Sequence, residues 1–175
     1  MAGGAAKVTI RPARIDDGAA VRRTHVAAWR ATYRGVMPDE FLDAMDPEQS
    51  QRWIDVLANL PEDQAVAVAD PGDGTIAGFA SVGPEREGER VGELFAINCD
   101  PRWFSVGVGK ALLDWAEREL ARRGHRQAVL WVVAANDRAR RFYERNGWHA
   151  DGRARVEEVG GGPVSEVRYA KTLPD

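Results

Sequence analysis

The sequence predicts an α/β (α+β) fold: a single domain whose central mixed, mostly antiparallel sheet holds a parallel β-α-β core and is flanked by helices. Three observations predict it. The first is a change of period between residues 91 and 120. VGELFAINC reads as a strand and DPRWFS as a turn, and from about Val106 a helical pattern sets in, with Val108, Ala111, Leu112, Trp115, Ala116 and Leu120 spaced by threes and fours. The second is QAVLWVV at 127–133, apolar at nearly every position, as a strand covered on both faces must be. Strand, helix, strand in this order implies a right-handed parallel crossover. The third is a pair of hairpin signals. One joins QAVAVAD to TIAGFASV through Pro71-Gly72-Asp73-Gly74, and the other joins 153–159 to 164–172 through Gly160-Gly161-Gly162-Pro163.

The remaining elements fall between these. KVTIRP at 7–12 alternates as a short first strand. Asp16 or Asp17 can cap a helix carrying Val21, Ala28 and Trp29, on which His25, Trp29 and Tyr33 share one face at four-residue spacing. That stripe fits either an aromatic wall for a substrate or an ordinary core stripe with a satisfied histidine. Gly35 and Pro38 break the chain, and helical pieces follow at 39–45 and 47–60. The segment 85–90 is charged and reads as a solvated connection. The helix after the central strand ends at Arg122 and Arg123, with Gly124 as its C′ residue. After the second buried strand, Asn136 or Asp137 caps a short helix that turns Ala139, Phe142 and Tyr143 inward and stops at Gly147.

Composition narrows the function. With 175 residues, 44% of them apolar, the chain can bury one substantial core. Its net charge of −3 gives no electrostatic reason to bind nucleic acid or an anionic membrane. No run of apolar residues is long enough to span a bilayer, and MAGGAAK lacks the apolar core of a signal peptide. The first six residues read as a loose tail and 7–173 as the domain. One cysteine permits no internal disulfide, and no Cys/His cluster has zinc spacing. The expectation is a metal-free cytoplasmic protein.

The joint between the central strand and its helix carries the chemistry. The first N–H groups of a helix have no partner within it, and the helix dipole adds partial positive charge there. Gly107 and Gly109 allow a large anion close to the backbone. The feature fits a pyrophosphate site or simply a tight turn that needs small residues. It is not a P-loop, because Phe104 occupies the first glycine position and Ala111 follows Lys110 where Ser or Thr is required. Leu112 also argues against a dinucleotide-binding fingerprint.

ELFAINCDP followed by FSVGVGKALL resembles the acyl-CoA loop of the GNAT superfamily of N-acetyltransferases. Gly107 and Gly109 match the signature Gln/Arg-x-x-Gly-x-Gly/Ala. Phe104 stands where Gln or Arg is expected, and Val106 where a basic residue is common. A second match is Asn-x-x-Ala-x-x-Phe-Tyr-x-x-x-Gly-Trp, running from Asn136 to Trp148, which resembles the superfamily's last helix and the strand after it.

This resemblance implies acyl transfer from acetyl-CoA, the co-substrate, to an amine acceptor, with a homodimer among the possible assemblies. It implies a CoA site formed by Ile97, Asn98, Cys99, Phe104, Ser105, Val106, Gly107, Val108, Gly109, Lys110, Asn136, Ala139 and Tyr143. The pantetheine arm would pair along 97–99 like an added strand, in a space opened by a bulge. The pyrophosphate would meet the N–H groups of 106–110, with Lys110 and Arg102 as minor aids. An N–H at Ile97 or Cys99 would hold the oxyanion. Tyr143 matches the usual general acid. Glu93 matches a glutamate that acts on the amine through water, although a structural carboxylate at a strand start is equally consistent. Cys99 has no His or Asp/Asn partner motif and reads as a small buried residue rather than a nucleophile. The first helices would cover the acceptor, which makes 33–41 the specificity region. A non-catalytic acyl-CoA-binding or sensing domain is the alternative function.

Overall fold

The structure, a computed structural model, describes residues 8–85 and 91–174. The expected tail at 1–6, and most of the charged connection at 85–90, lie outside the described residues. The strands are β1 (Thr9–Pro12), β2 (Ala65–Asp70), β3 (Gly78–Pro84), β4 (Val91–Cys99), β5 (Gln127–Val133), β6 (His149–Val159) and β7 (Gly162–Thr172). The helices are α1 (Gly18–Tyr33), α2 (Asp39–Ala44), α3 (Gln51–Ala58), α4 (Val108–Arg122) and α5 (Asp137–Arg145).

The strands form one seven-stranded sheet in the order β1-β2-β3-β4-β5-β7-β6. Only β4 and β5 pair in parallel; every other neighbouring pair is antiparallel. This is the mixed, mostly antiparallel sheet with a parallel β-α-β core that the sequence predicts. The last hairpin closes at Val159↔Gly162 across Gly160 and Gly161, both at positive φ (62° and 80°), so Gly162 and Pro163 belong to β7 rather than to the turn.

The alternation along each strand divides the core between two faces. Leu94, Leu112, Leu130, Tyr143 and Tyr169 pack together on the α4/α5 face. Val26, Met37, Leu42 and Val133 pack on the face of α1 and α2, and Val21, Val68 and Phe79 beside them. Helix α4 lies close to the sheet because glycines face it: a Cβ on Gly92 would come within 2.7 Å of Leu120, and one on Gly78 within 2.9 Å of Leu112. The far end of α4 is tied down by Glu117, which accepts from Lys171 Nζ and from Trp148 Nε1, each at 2.8 Å.

Three local readings are corrected by the structure. Asp17 precedes α1 without capping it: its carboxylate accepts from Arg14 N at 2.7 Å and pairs with Arg11 at 2.8 Å, so the 3-10 turn Ile15–Asp17 takes the group. Glu85 is not simply solvated, because Arg168 Nη1 donates to it at 2.6 Å with both side chains largely covered. Helix α4 begins two residues later than its apolar pattern suggests. Gly107 sits at φ 94°, in the left-handed region, and Ser105 at φ 63°, so helical geometry cannot start before Val108.

Candidate active site

Strands β4 and β5 run side by side only over 91–94 and 127–130. Beyond Leu94 they part. The cause lies in β4: Val82 of β3 pairs with Leu94 and Ser81 with Ala96, which leaves Phe95 as an extra residue, a β-bulge that turns the strand. The rest of β4 stays on β3, and Asp100 N donates to Ala77 O at 2.9 Å. Antiparallel alternation then directs the N–H groups of Asn98 and Asp100 to β3, and those of Ile97 and Cys99 into the fork.

A cleft of about 290 Å³ fills this fork. It passes between the faces of the sheet, so both helical layers line it. Ala28, Thr32 and Tyr33 come from α1; Ile97, Asn98 and Cys99 from β4; Trp103, Phe104, Ser105 and Gly107 from the loop; Gly109 and Lys110 from α4; Asn136, Arg138, Ala139, Phe142, Tyr143 and Arg145 from α5 and its cap. At one wall the first intrahelical bond of α4 runs from Ala111 N to Gly107 O (3.0 Å), which leaves the N–H groups of Val108, Gly109 and Lys110 ahead of it. Nothing lies within 4 Å of where a Cβ on Gly107 would stand, so the approach to this N-terminus is open. The geometry suits an anion with an extended arm.

The opposite wall is α5. Asn136 caps it by accepting from Ala139 N at 3.1 Å. At its other end Gly147 N donates to Glu144 O and Trp148 N to Tyr143 O, each at 3.1 Å, a Schellman closure that fixes the backbone of Tyr143. The Tyr143 ring is buried against Phe142, Trp148 and Tyr169, with centroids 5.3, 6.2 and 6.4 Å away. Burial, first, and then the neighbouring Tyr33 and Cys99 push its phenol well above the ordinary value. It therefore stays protonated at any working pH. The Cys99 thiol is pushed up to about 12, chiefly by burial, which makes it a poor nucleophile and agrees with its reading as a small packing residue.

Most of the expected site residues meet in this cleft; three do not line it. Val106 is 64% exposed and borders a second hollow, with Val8, Trp103 and Ala111. The Val108 side chain points into the core, so only its N–H is offered to the cleft. Glu93 is 6% exposed and pairs with Gly83 and Val129, ahead of the bulge. Lys110 and Arg102 are drawn aside: Lys110 Nζ bonds Asp114 at 2.5 and 2.6 Å, and Arg102 bonds Asp100 at 2.9 Å. The stripe on α1 divides. His25 is half-buried against Trp29, Trp53 and Phe79, whereas Tyr33, one turn beyond Trp29, reaches the cleft.

Sequence reasoning missed Arg138. Its guanidinium stacks on the Phe104 ring, Cζ 3.8 Å from the centroid. A cation on the cleft wall thus comes from α5 and is seated on the aromatic residue that replaces a polar one in the loop. The dipeptide Arg138-Ala139 lay inside the matched motif, but nothing local links it to Phe104. Among the described residues no group of three or more His, Cys, Asp or Glu side chains is placed to hold a metal ion, and no helix is long and apolar enough to cross a membrane.

A fork between two parallel strands, closed by a helix N-terminus and a buried tyrosine, defines the class. Residues 26–148 match the model of the acetyltransferase (GNAT) family. The chain belongs to that family. Over 133 residues, 74% of this chain and 73% of the relative, it is 32% identical to YuaI of Bacillus subtilis, described as an uncharacterized N-acetyltransferase. It is 31% identical to the mycothiol acetyltransferase of Propionibacterium freudenreichii over 83% of this chain, but that match spans only 42% of the longer relative. Among solved structures, the PaiA N-acetyltransferase of Thermoplasma acidophilum in complex with coenzyme A superposes with a TM-score of 0.70 over 95% of this chain and 99% of that one, at 22% identity. YncA of Salmonella typhimurium, solved with acetyl-CoA, gives 0.71 over 97% and 95%, at 20% identity. These two likenesses concern the fold.

Proposed function

We propose that the protein transfers an acetyl group from acetyl-CoA to a primary amine by direct attack in a ternary complex. The observation that carries this reading is the fork: one cleft holds a strand edge with N–H groups facing inward, the open N-terminus of α4 and the Tyr143 phenol. Bound acetyl-CoA would supply an activated thioester carbonyl and a thiolate leaving group. The N–H groups of Val108, Gly109 and Lys110 meet the pyrophosphate, and Arg138 adds the charge that Phe104 and Val106 do not provide. Ile97 and Cys99 offer backbone bonds to the pantetheine arm, and one of their N–H groups holds the oxyanion. Asn136 and Ala139 line the arm's other side.

Tyr143 gives its proton to the departing sulfur. The departing thiolate takes up a proton because a thiol titrates at about 8.5, and the phenol, protonated at working pH, can supply it. Glu93, removed from the cleft wall, would take the amine's proton through water. The region from Tyr33 to Phe41 contributes to acceptor choice. Small amines and protein N-termini both fit this chemistry.

Phe104 at a position where the family usually carries Gln or Arg favours one other reading, an acyl-CoA-binding domain without turnover. Thiol release from acetyl-CoA in the presence of a panel of amines (polyamines, amino acids, aminoglycosides and a peptide N-terminus) separates the two. Acceptor-dependent release is expected. Calorimetric binding of acetyl-CoA with no release above the hydrolytic background for any amine would contradict catalysis.

A further inference from the structure

The N-terminus of α4 offers N–H groups to an anion, but the side chains on its own wall bring little free positive charge. Lys110 is held by Asp114 at 2.5 and 2.6 Å, and Arg102 by Asp100 at 2.9 Å. The loop otherwise presents Trp103, Phe104 and Ser105 to the cleft. A free cation reaches this point only from across the cleft. Arg138 stands exposed on the first turn of α5, with its guanidinium over the Phe104 ring and Cζ 3.8 Å from the centroid. Among the described residues it has no hydrogen-bond or ion-pair partner. Its donors lie in the guanidinium plane, so stacking holds the group by its face and leaves all of them available. Arg145, two turns further along α5, lines the same wall, but no ring among the described residues carries it.

The stack also joins the two walls. Phe104 belongs to the loop that leads into α4, Arg138 belongs to α5, and both line the cleft. Tyr143 is buried, Phe104 half-buried and Arg138 exposed, so the stack stands at the mouth and the tyrosine within. A ligand whose arm reaches Tyr143 has its outer end beside the stack. We propose that Phe104 is a positioning residue for the acyl donor: it seats the Arg138 guanidinium across the mouth, where the free donors grip a diphosphate, and the pair selects thioesters that carry a nucleotide diphosphate over those that end at pantetheine. This rests on the reading of the cleft as an acyl-CoA site. A diphosphate is then held from both walls, by the N–H groups of α4 and by a planar fork on α5. Uncharged pantetheine draws nothing from the guanidinium, so the pair acts on one donor and not on the other.

The test compares kcat/KM for acetyl-CoA and for S-acetylpantetheine, with the amine of highest turnover and thermal melting of every variant. Arg138→Ala should lower kcat/KM for acetyl-CoA about tenfold, the loss of a charge-assisted contact, and leave that for S-acetylpantetheine within about twofold. Phe104→Leu keeps an apolar side chain without a π face and should lower the acetyl-CoA value about threefold, as loss of an exposed cation–π contact does. Phe104→Tyr should keep the parent's preference. In an Arg138→Ala background, Phe104→Leu should cause no further loss, because no guanidinium is left to seat. Calorimetric affinity for CoA should change by the same factors in the same variants, which tests the pair without an acceptor. Phe104→Met takes the place of Phe104→Leu if that variant does not fold. An unchanged donor preference in folded Arg138→Ala or Phe104→Leu would overturn the proposal. So would equal losses for both donors, a loss in Phe104→Tyr as large as in Phe104→Leu, or losses that multiply in the double variant. A parent protein that binds no CoA would remove the acyl-CoA reading of the cleft as well.

Discussion

His25 takes the packing alternative that its stripe on α1 left open. It shares a stripe with Trp29 and Tyr33, yet its Nδ1 accepts from Trp53 Nε1 at 3.4 Å and aromatic rings surround it. Burial, then Arg22 and Arg52, lower its pKa from 6.5 to about 4. The folded state therefore favours the neutral ring, while the unfolded chain takes up a proton below 6.5. Stability from this group is complete above that pH, is lost as pH falls towards 4, and changes no further below it. The displacement corresponds to about 3 kcal/mol. Urea unfolding at pH 7.0 and 4.5 should show that His25→Gln loses about 2–3 kcal/mol less than the parent between these conditions. Equal losses would show that His25 does not carry the acid sensitivity. The Tyr33 end of the stripe reaches the cleft only because the sheet is open there, and spacing on α1 could not reveal that.

At the scale of elements, local signals read well. β4 and β5 begin and end at the residues their patterns indicate, and α4 and α5 stop at Gly124 and Gly147, both at positive φ. The start of α4 read less well, because apolar period continues through Gly107 while the backbone does not. That shift matters chemically: it turns the Val108 side chain into the core and leaves three N–H groups, from Val108 to Lys110, at the cleft. Gly109 tests the cradle. A Cβ there would meet Phe142 at 3.7 Å and Cys99 at 3.8 Å, ordinary contacts, so a side chain is tolerated by the fold and intrudes on the cleft. Gly109→Val should weaken CoA binding at least tenfold, about 1.4 kcal/mol, by titration calorimetry. Unchanged affinity in the folded variant would move the anion site away from this helix.

The whole molecule supplies what no local stretch contains. The insertion of β7 between β5 and β6, the bulge at Phe95 and the seat of Arg138 on Phe104 each join residues far apart in sequence, so neither periodicity nor turn chemistry announces them. The two matched motifs in the sequence indicated the cleft nonetheless, because the walls they form, the α4 N-terminus and α5, each follow one strand of the parallel pair. The bulge parts those strands, and both walls then face one space. Its central consequence is that the buried Tyr143 lines that space, where the proposed mechanism needs a proton for the leaving sulfur. The most direct measurement is steady-state thiol release by Tyr143→Phe with a good acceptor, alongside thermal melting. The predicted result is a fall in kcat of roughly 10²-fold with KM for acetyl-CoA little changed and the melting temperature close to the parent's. A folded Tyr143→Phe protein that keeps full kcat would contradict the account and leave solvent as the source of the proton.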